Sequence, residues 1–111
     1  MRTREEILID LIKFKGNIFD LEKELSAYPW DCEIPIIIVS KEDIISILIK
    51  FKEKKISYKE VFEWADAIEC RDDIDFEPEE LQEIIFELAF PDNDVLRYQK
   101  MIHDIYNKLN K

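Results

Sequence analysis

A chain of 111 residues, 47% apolar and 38% charged, has the mass of one domain and enough apolar side chains to bury a core without disulfides or structural metal. One glycine excludes Gly-rich phosphate loops and turn-dense β-sandwiches or barrels, and two cysteines with one histidine supply no soft-ligand set for zinc. A formal net charge of −10 argues against direct contact with nucleic-acid phosphates, and with no long apolar run or leader-like opening the expectation is a soluble cytoplasmic protein, neither membrane-bound nor exported, with Cys32 and Cys70 reduced.

In chain order, Thr3 and Glu6 have capping-box spacing, and Ile7, Leu8, Leu11 and Ile12 follow at helical intervals. They predict a first helix over 3–15, closed by Lys15 and a C′ glycine, Gly16. Ile18, Leu21 and Leu25 continue a shorter helical pattern that must stop before Pro29. Residues 28–39, with two prolines and many β-branched and aromatic side chains, read as an extended connector. Ile36 to Val39 have strand character, but no second strand is evident to pair with them, so the segment is predicted as buried and non-helical.

Ser40 with Asp43 opens the next helix, which ends in the basic turn Lys50, Lys52, Lys54, Lys55. Ser57 with Glu60 opens another, carrying Val61, Phe62, Ala65 and Ile68 on one face, Trp64 at its edge, and Glu63 and Asp66 opposite. Residues 71–77 are a loop by composition. Pro78 suits the first helical position, and Leu81, Ile84, Ile85, Leu88 and Ala89 make a core stripe that stops before Pro91. A last helix from about Asp94 turns Leu96, Met101, Ile102, Ile105 and Leu109 inward. The expected fold is all-α: a single-domain bundle of about five helices covering 1–111, with the connector near 28–39.

Chemistry for catalysis is missing from this pattern. No serine has a histidine at an activating spacing, and Ser40 and Ser57 are better explained as caps. His103 is the one histidine, turned away from its helix's apolar stripe, and Lys100 stands where a di-iron Glu-x-x-His motif needs glutamate. A calcium loop starting at Asp73 fails because Pro78 and Ile84 fall where glycine and the bidentate glutamate are required. No enzyme activity, cofactor or metal is expected.

The charge is where the sequence speaks most clearly. Residues 63–87 hold eleven acids and one base, Arg71, while the rest of the chain has fifteen of each. All of the net charge is therefore concentrated in one stretch, which is the arrangement that steers a basic partner. Glu80, Glu83 and Glu87 share the face of their helix opposite the core stripe, although like charges on adjacent turns are mutually destabilising. The candidate partner-binding residues are Glu63, Asp66, Asp72, Asp73, Asp75, Glu80, Glu83 and Glu87, with Trp64 either at the core rim or as an interface anchor. Arg71 is expected to hold Asp72, Asp73 or a neighbouring carboxylate in a bidentate pair. Phe86 and Phe90 lie roughly 100° or more from the centre of the core stripe, which leaves them either beneath the last helix, their expected place, or exposed beside the acids.

The run Val61-Phe62-Glu63-Trp64-Ala65-Asp66-Ala67-Ile68-Glu69-Cys70-Arg71-Asp72-Asp73-Ile74, with Ile85-Phe86-Glu87-Leu88-Ala89 after it and Asp43-Ile44-Ile45 before it, resembles small acidic bacterial immunity proteins encoded beside contact-dependent or colicin-like toxins. The similarity spans about residues 40–91, with a weaker echo at Tyr28-Pro29-Trp30-Asp31. It departs at Asp75, where glycine is expected, and at Phe90, where asparagine is expected before the proline. The resemblance implies a cytoplasmic inhibitor of one cognate toxin, often a nuclease. An adaptor or regulatory helical module with an acidic docking surface is the alternative.

Overall fold

The computed structural model describes residues 3–28, 35–69, 71–90 and 94–110. Its elements are α1 (Arg4–Ile12), α2 (Ile18–Leu25), β1 (Ile37–Ser40), α3 (Lys41–Lys52), α4 (Tyr58–Ile68), β2 (Ile74–Glu77), α5 (Leu81–Leu88) and α6 (Val95–Leu109). Residues 29–34 of the expected connector, both cysteines and Pro91 lie outside the described residues.

Helix starts follow the caps. Thr3, Ser40 and Ser57 each complete a capping box with Glu6, Asp43 and Glu60. Asn17 caps α2 and Asp94 caps α6, each side chain accepting from first-turn backbone N–H groups. Before α5 there is no side-chain cap; carbonyls of Pro78, Glu79 and Glu80 accept short-turn bonds instead, so the helix begins at Leu81, later than Pro78 suggested.

Two helix ends depart from expectation by closing on residues other than glycine in the left-handed conformation. α1 stops at Ile12, not Lys15, and Phe14 takes the left-handed C′ conformation at φ 54°. The N–H of Lys15 reaches the carbonyl of Asp10 and that of Phe14 reaches Leu11, a Schellman closure. α3 ends the same way on Lys54 at φ 63°, with Lys55 bonded to Lys50 and Lys54 to Phe51. The Lys50 ammonium, 2.8 Å from the carbonyl of Lys13, also satisfies the end of α1.

The architecture is mostly helical but not purely all-α, and its described helices number six, not five. β1 and β2 form a two-stranded parallel sheet in the register Ile37↔Ile74 to Ser40↔Glu77, with α3 and α4 as the crossover. Composition made 71–77 look like a loop. Its Ile74 and Phe76 are nevertheless buried, and Asp75 and Glu77 exposed, the period-two pattern of a half-buried strand.

A single hydrophobic cluster draws side chains from every helix and both strands. α4 is the hub, packed against α1, α2, α3 and α5. In α6 the inward residues are Tyr98, Ile102, Ile105 and Leu109; Leu96, expected inside, is 78% exposed. Tyr98 takes the inner position because its hydroxyl donates to the carbonyl of Leu88 at 2.6 Å, satisfying the end of α5.

Candidate partner-binding face

The acids of residues 63–87 are displayed by three consecutive elements. Glu63 and Asp66 are exposed on α4, facing away from its buried side. They share that surface with Glu22 of α2, whose carboxyl is pushed above its ordinary value by burial and by the charge of Asp66, with Glu63 adding to the effect and Arg71 opposing it. Asp72 is exposed in the turn, and Asp75 points outward from β2, its carboxylate accepting from the N–H of Phe76 at 2.8 Å. Glu80 stands at the entrance of α5, and Glu83 and Glu87 are exposed along it.

Asp73 does not belong to that surface. Its side chain is 1% exposed and gripped by two arginines. Arg71 binds in bidentate fashion, Nε to Oδ1 at 2.9 Å and Nη2 to Oδ2 at 3.0 Å, while Arg4 of α1 brings Nε and Nη2 to Oδ2 at 3.0 Å each. Burial on its own raises the carboxyl pKa, but the hydrogen bonds and charges of Arg71, and then of Arg4, outweigh it and hold the group below its ordinary value. The backbone carbonyl of Asp73 accepts from the N–H groups of Ile36 and Ile37. Asp73 thus ties α1, the approach to β1 and the acidic turn together. Arg71 fills the expected pairing role; Arg4, far away in sequence, gave no signal of sharing it.

Trp64 is likewise removed from the surface. It is fully buried, since α4 is enclosed on several sides and a residue at the stripe's edge still meets a neighbouring helix. Its indole N–H donates to the carbonyls of Leu11 at 3.0 Å and Ile12 at 3.1 Å in the last turn of α1, the former shared with the N–H of Phe14. An interface anchor needs accessible area, and Trp64 has none.

Three phenylalanines are exposed among the described residues: Phe19 on α2, away from the acidic stretch in sequence, and Phe86 and Phe90, which do not pack beneath the last helix. The latter two are 51% and 60% exposed, with ring centroids 4.6 Å apart and planes at 57°. Phe86 lines a depression of about 740 Å³ with Gln82 and the acids Glu69, Glu79, Glu80, Glu83 and Glu87. Glu80, Glu83 and Glu87 also border a groove of about 690 Å³ against Met101, Asp104, Ile105 and Lys108 of α6, so they form the ridge between two hollows. Glu69, Glu79 and the two phenylalanines were outside the sequence-derived set. The off-stripe angle of Phe86 and Phe90 was the one signal that could have included them.

Among the described residues no group of three or more His, Cys, Asp or Glu side chains is placed to hold a metal ion, and no helix is long and apolar enough to cross a membrane. His103 is exposed on α6, its ring 5.9 Å from that of Phe51. No protein-family model, no curated protein and no solved structure matches the chain.

Proposed function

We propose that this chain is a binding protein that neutralises a basic protein toxin, covering a cationic cleft with the acidic face of residues 63–87. The observation that carries the reading is the display of nine exposed carboxylates from that stretch, on α4, β2, α5 and the turns between them, in a chain otherwise neutral in formal charge. Such a face concentrates negative potential and raises the rate of encounter with a positive partner by roughly 10- to 1,000-fold. The outward row on α5 costs an isolated helix about 0.2–0.5 kcal/mol for each like-charged pair, a cost that a cationic partner reverses. The resemblance to immunity proteins points the same way, and the cytoplasm, where a nuclease-type toxin acts, is the compartment the reading assigns.

The test is co-expression with the product of the neighbouring reading frame. That product alone should arrest growth, and this chain should relieve the arrest. Stopped-flow association of the purified pair should slow at least tenfold between low salt and about 1 M salt, where the screening length falls to about 3 Å. A salt-independent rate, or full protection by a Glu83→Lys/Glu87→Lys variant, would refute the reading. A partner that stays active and harmless when bound would favour an adaptor.

A further inference from the structure

Two phenylalanine rings side by side in water are not accounted for by the fold. Phe86 and Phe90 touch each other and leave half or more of their area open, and a ring pair at this spacing offsets little of what that exposure costs. They also lie among carboxylates. Glu83 precedes Phe86 by three residues within α5, the spacing of side-chain neighbours on a helix; Glu87 lines the same depression as Phe86, whose ring contacts that of Phe90 just past the helix end, and Glu69 reaches the depression from the end of α4.

The combination narrows the occupant. A second copy in twofold contact sets Glu83 and Glu87 against their own equivalents. Nucleic acid and anionic lipid surfaces meet the same repulsion. A neutral apolar segment strips water from the carboxylates and returns nothing for it. A cationic protein segment satisfies both features, and among cations arginine matches them best. Its planar guanidinium lies flat on an aromatic face while its N–H fork reaches carboxylate oxygens, whereas the lysine ammonium is a compact, strongly hydrated charge.

We propose that Phe86 and Phe90 form an aromatic platform that receives arginine side chains of the cationic partner, with Glu83 and Glu87 accepting the guanidinium N–H groups. The proposal rests on the acidic-face reading and adds to it a chemical selectivity, arginine over lysine at equal charge, together with the residues that impose it.

Nona-arginine and nona-lysine peptides, titrated calorimetrically into the intact chain at low salt, separate the two ideas. Arginine should bind about fivefold or more tightly, the gain expected from one or two cation–π contacts at an exposed site. Phe86→Ala/Phe90→Ala should bring nona-arginine down to the nona-lysine level and leave nona-lysine unchanged. Phe86→Leu/Phe90→Leu, which keeps apolar area but removes the π faces, should do the same. Glu83→Gln/Glu87→Gln should weaken both peptides. Circular dichroism checks that each variant is folded. Equal affinities for the two peptides in the parent chain, or an arginine preference that survives either phenylalanine double variant, would overturn the platform while leaving the acidic face standing. Failure of both peptides to bind would remove the acidic face and the platform together. A dimer of the free chain in sedimentation, lost on replacing the two phenylalanines, would assign the rings to a second copy and also overturn the proposal.

Discussion

Replacing Asp73 by asparagine should destabilise the protein more than any other charge-neutralising change in the acidic stretch. The carboxylate is almost fully enclosed, and the side chains of Arg4 and Arg71 retain 14% and 17% of their exposure. Removing one partner from a buried ion pair costs about 3–5 kcal/mol, because the remaining charges are left without compensation. The residual access of both guanidiniums to water lowers that figure, so the expected loss is about 2–4 kcal/mol. Urea denaturation at neutral pH, followed by circular dichroism with an unchanged slope, measures it. Asp72→Asn, one residue away and exposed, should shift stability by no more than about 0.5 kcal/mol. The pH dependence supplies a second reading. The folded carboxyl titrates below its ordinary value of 3.8, so its contribution is complete above that pH and disappears as pH falls through it towards the depressed folded value. The stability gap between the parent and Asp73→Asn should therefore be constant near neutrality and close in acid. A loss no larger than that of Asp72→Asn, or a gap that widens on acidification, would refute the argument.

Trp64→Phe should cost about 1–2 kcal/mol by removing the indole donor from the Ile12 carbonyl and from that of Leu11, which keeps the N–H of Phe14, while the folded fraction keeps full partner affinity, as equilibrium unfolding and calorimetry on the same samples can establish. Lys54→Gly should raise stability by about 0.5–1 kcal/mol, read from the denaturation midpoint, since φ 63° strains a lysine and suits glycine. Glu83→Lys/Glu87→Lys should keep its helicity and midpoint yet lose about 2 kcal/mol or more of partner binding; Glu5→Gln/Lys13→Gln, on the neutral part of the chain, should change neither.

Local chemistry was the legible part of this fold. Thr3, Ser40 and Ser57 announced their helices because a capping box is complete within four residues, and the α5 stripe could be read because it repeats at 3.6. The features that escaped depend on contacts between distant segments. Ile74 and Phe76 form a strand because Ile37 to Ser40 lies alongside, and the apolar–polar alternation of IDFE is too short a signal to outweigh the acidic composition around it. Asp73 looked like one surface acid among many, since its second arginine comes from position 4. Trp64 was placed at an edge by a helical projection of α4 alone, which takes no account of α1 beyond that edge. The exposed acids Glu63, Asp66, Asp72, Asp75, Glu80, Glu83 and Glu87 are legible from composition because a carboxylate with no cation to bury it stays in water wherever the chain runs.

The parallel sheet joins residues thirty-seven positions apart. A hairpin can order itself in isolation, but a parallel pair must wait until the whole crossover has closed, so this pairing bears a loop-closure entropy that no local turn can reduce. The acidic display is therefore not portable. A fragment spanning residues 58–90 would keep every carboxylate of the face, yet lack both β1, which aligns β2, and Arg4, which helps to hold Asp73. Full charge with little fixed geometry would be the result: a polyanion attracting basic proteins in general, where the intact chain presents the same charges at set positions.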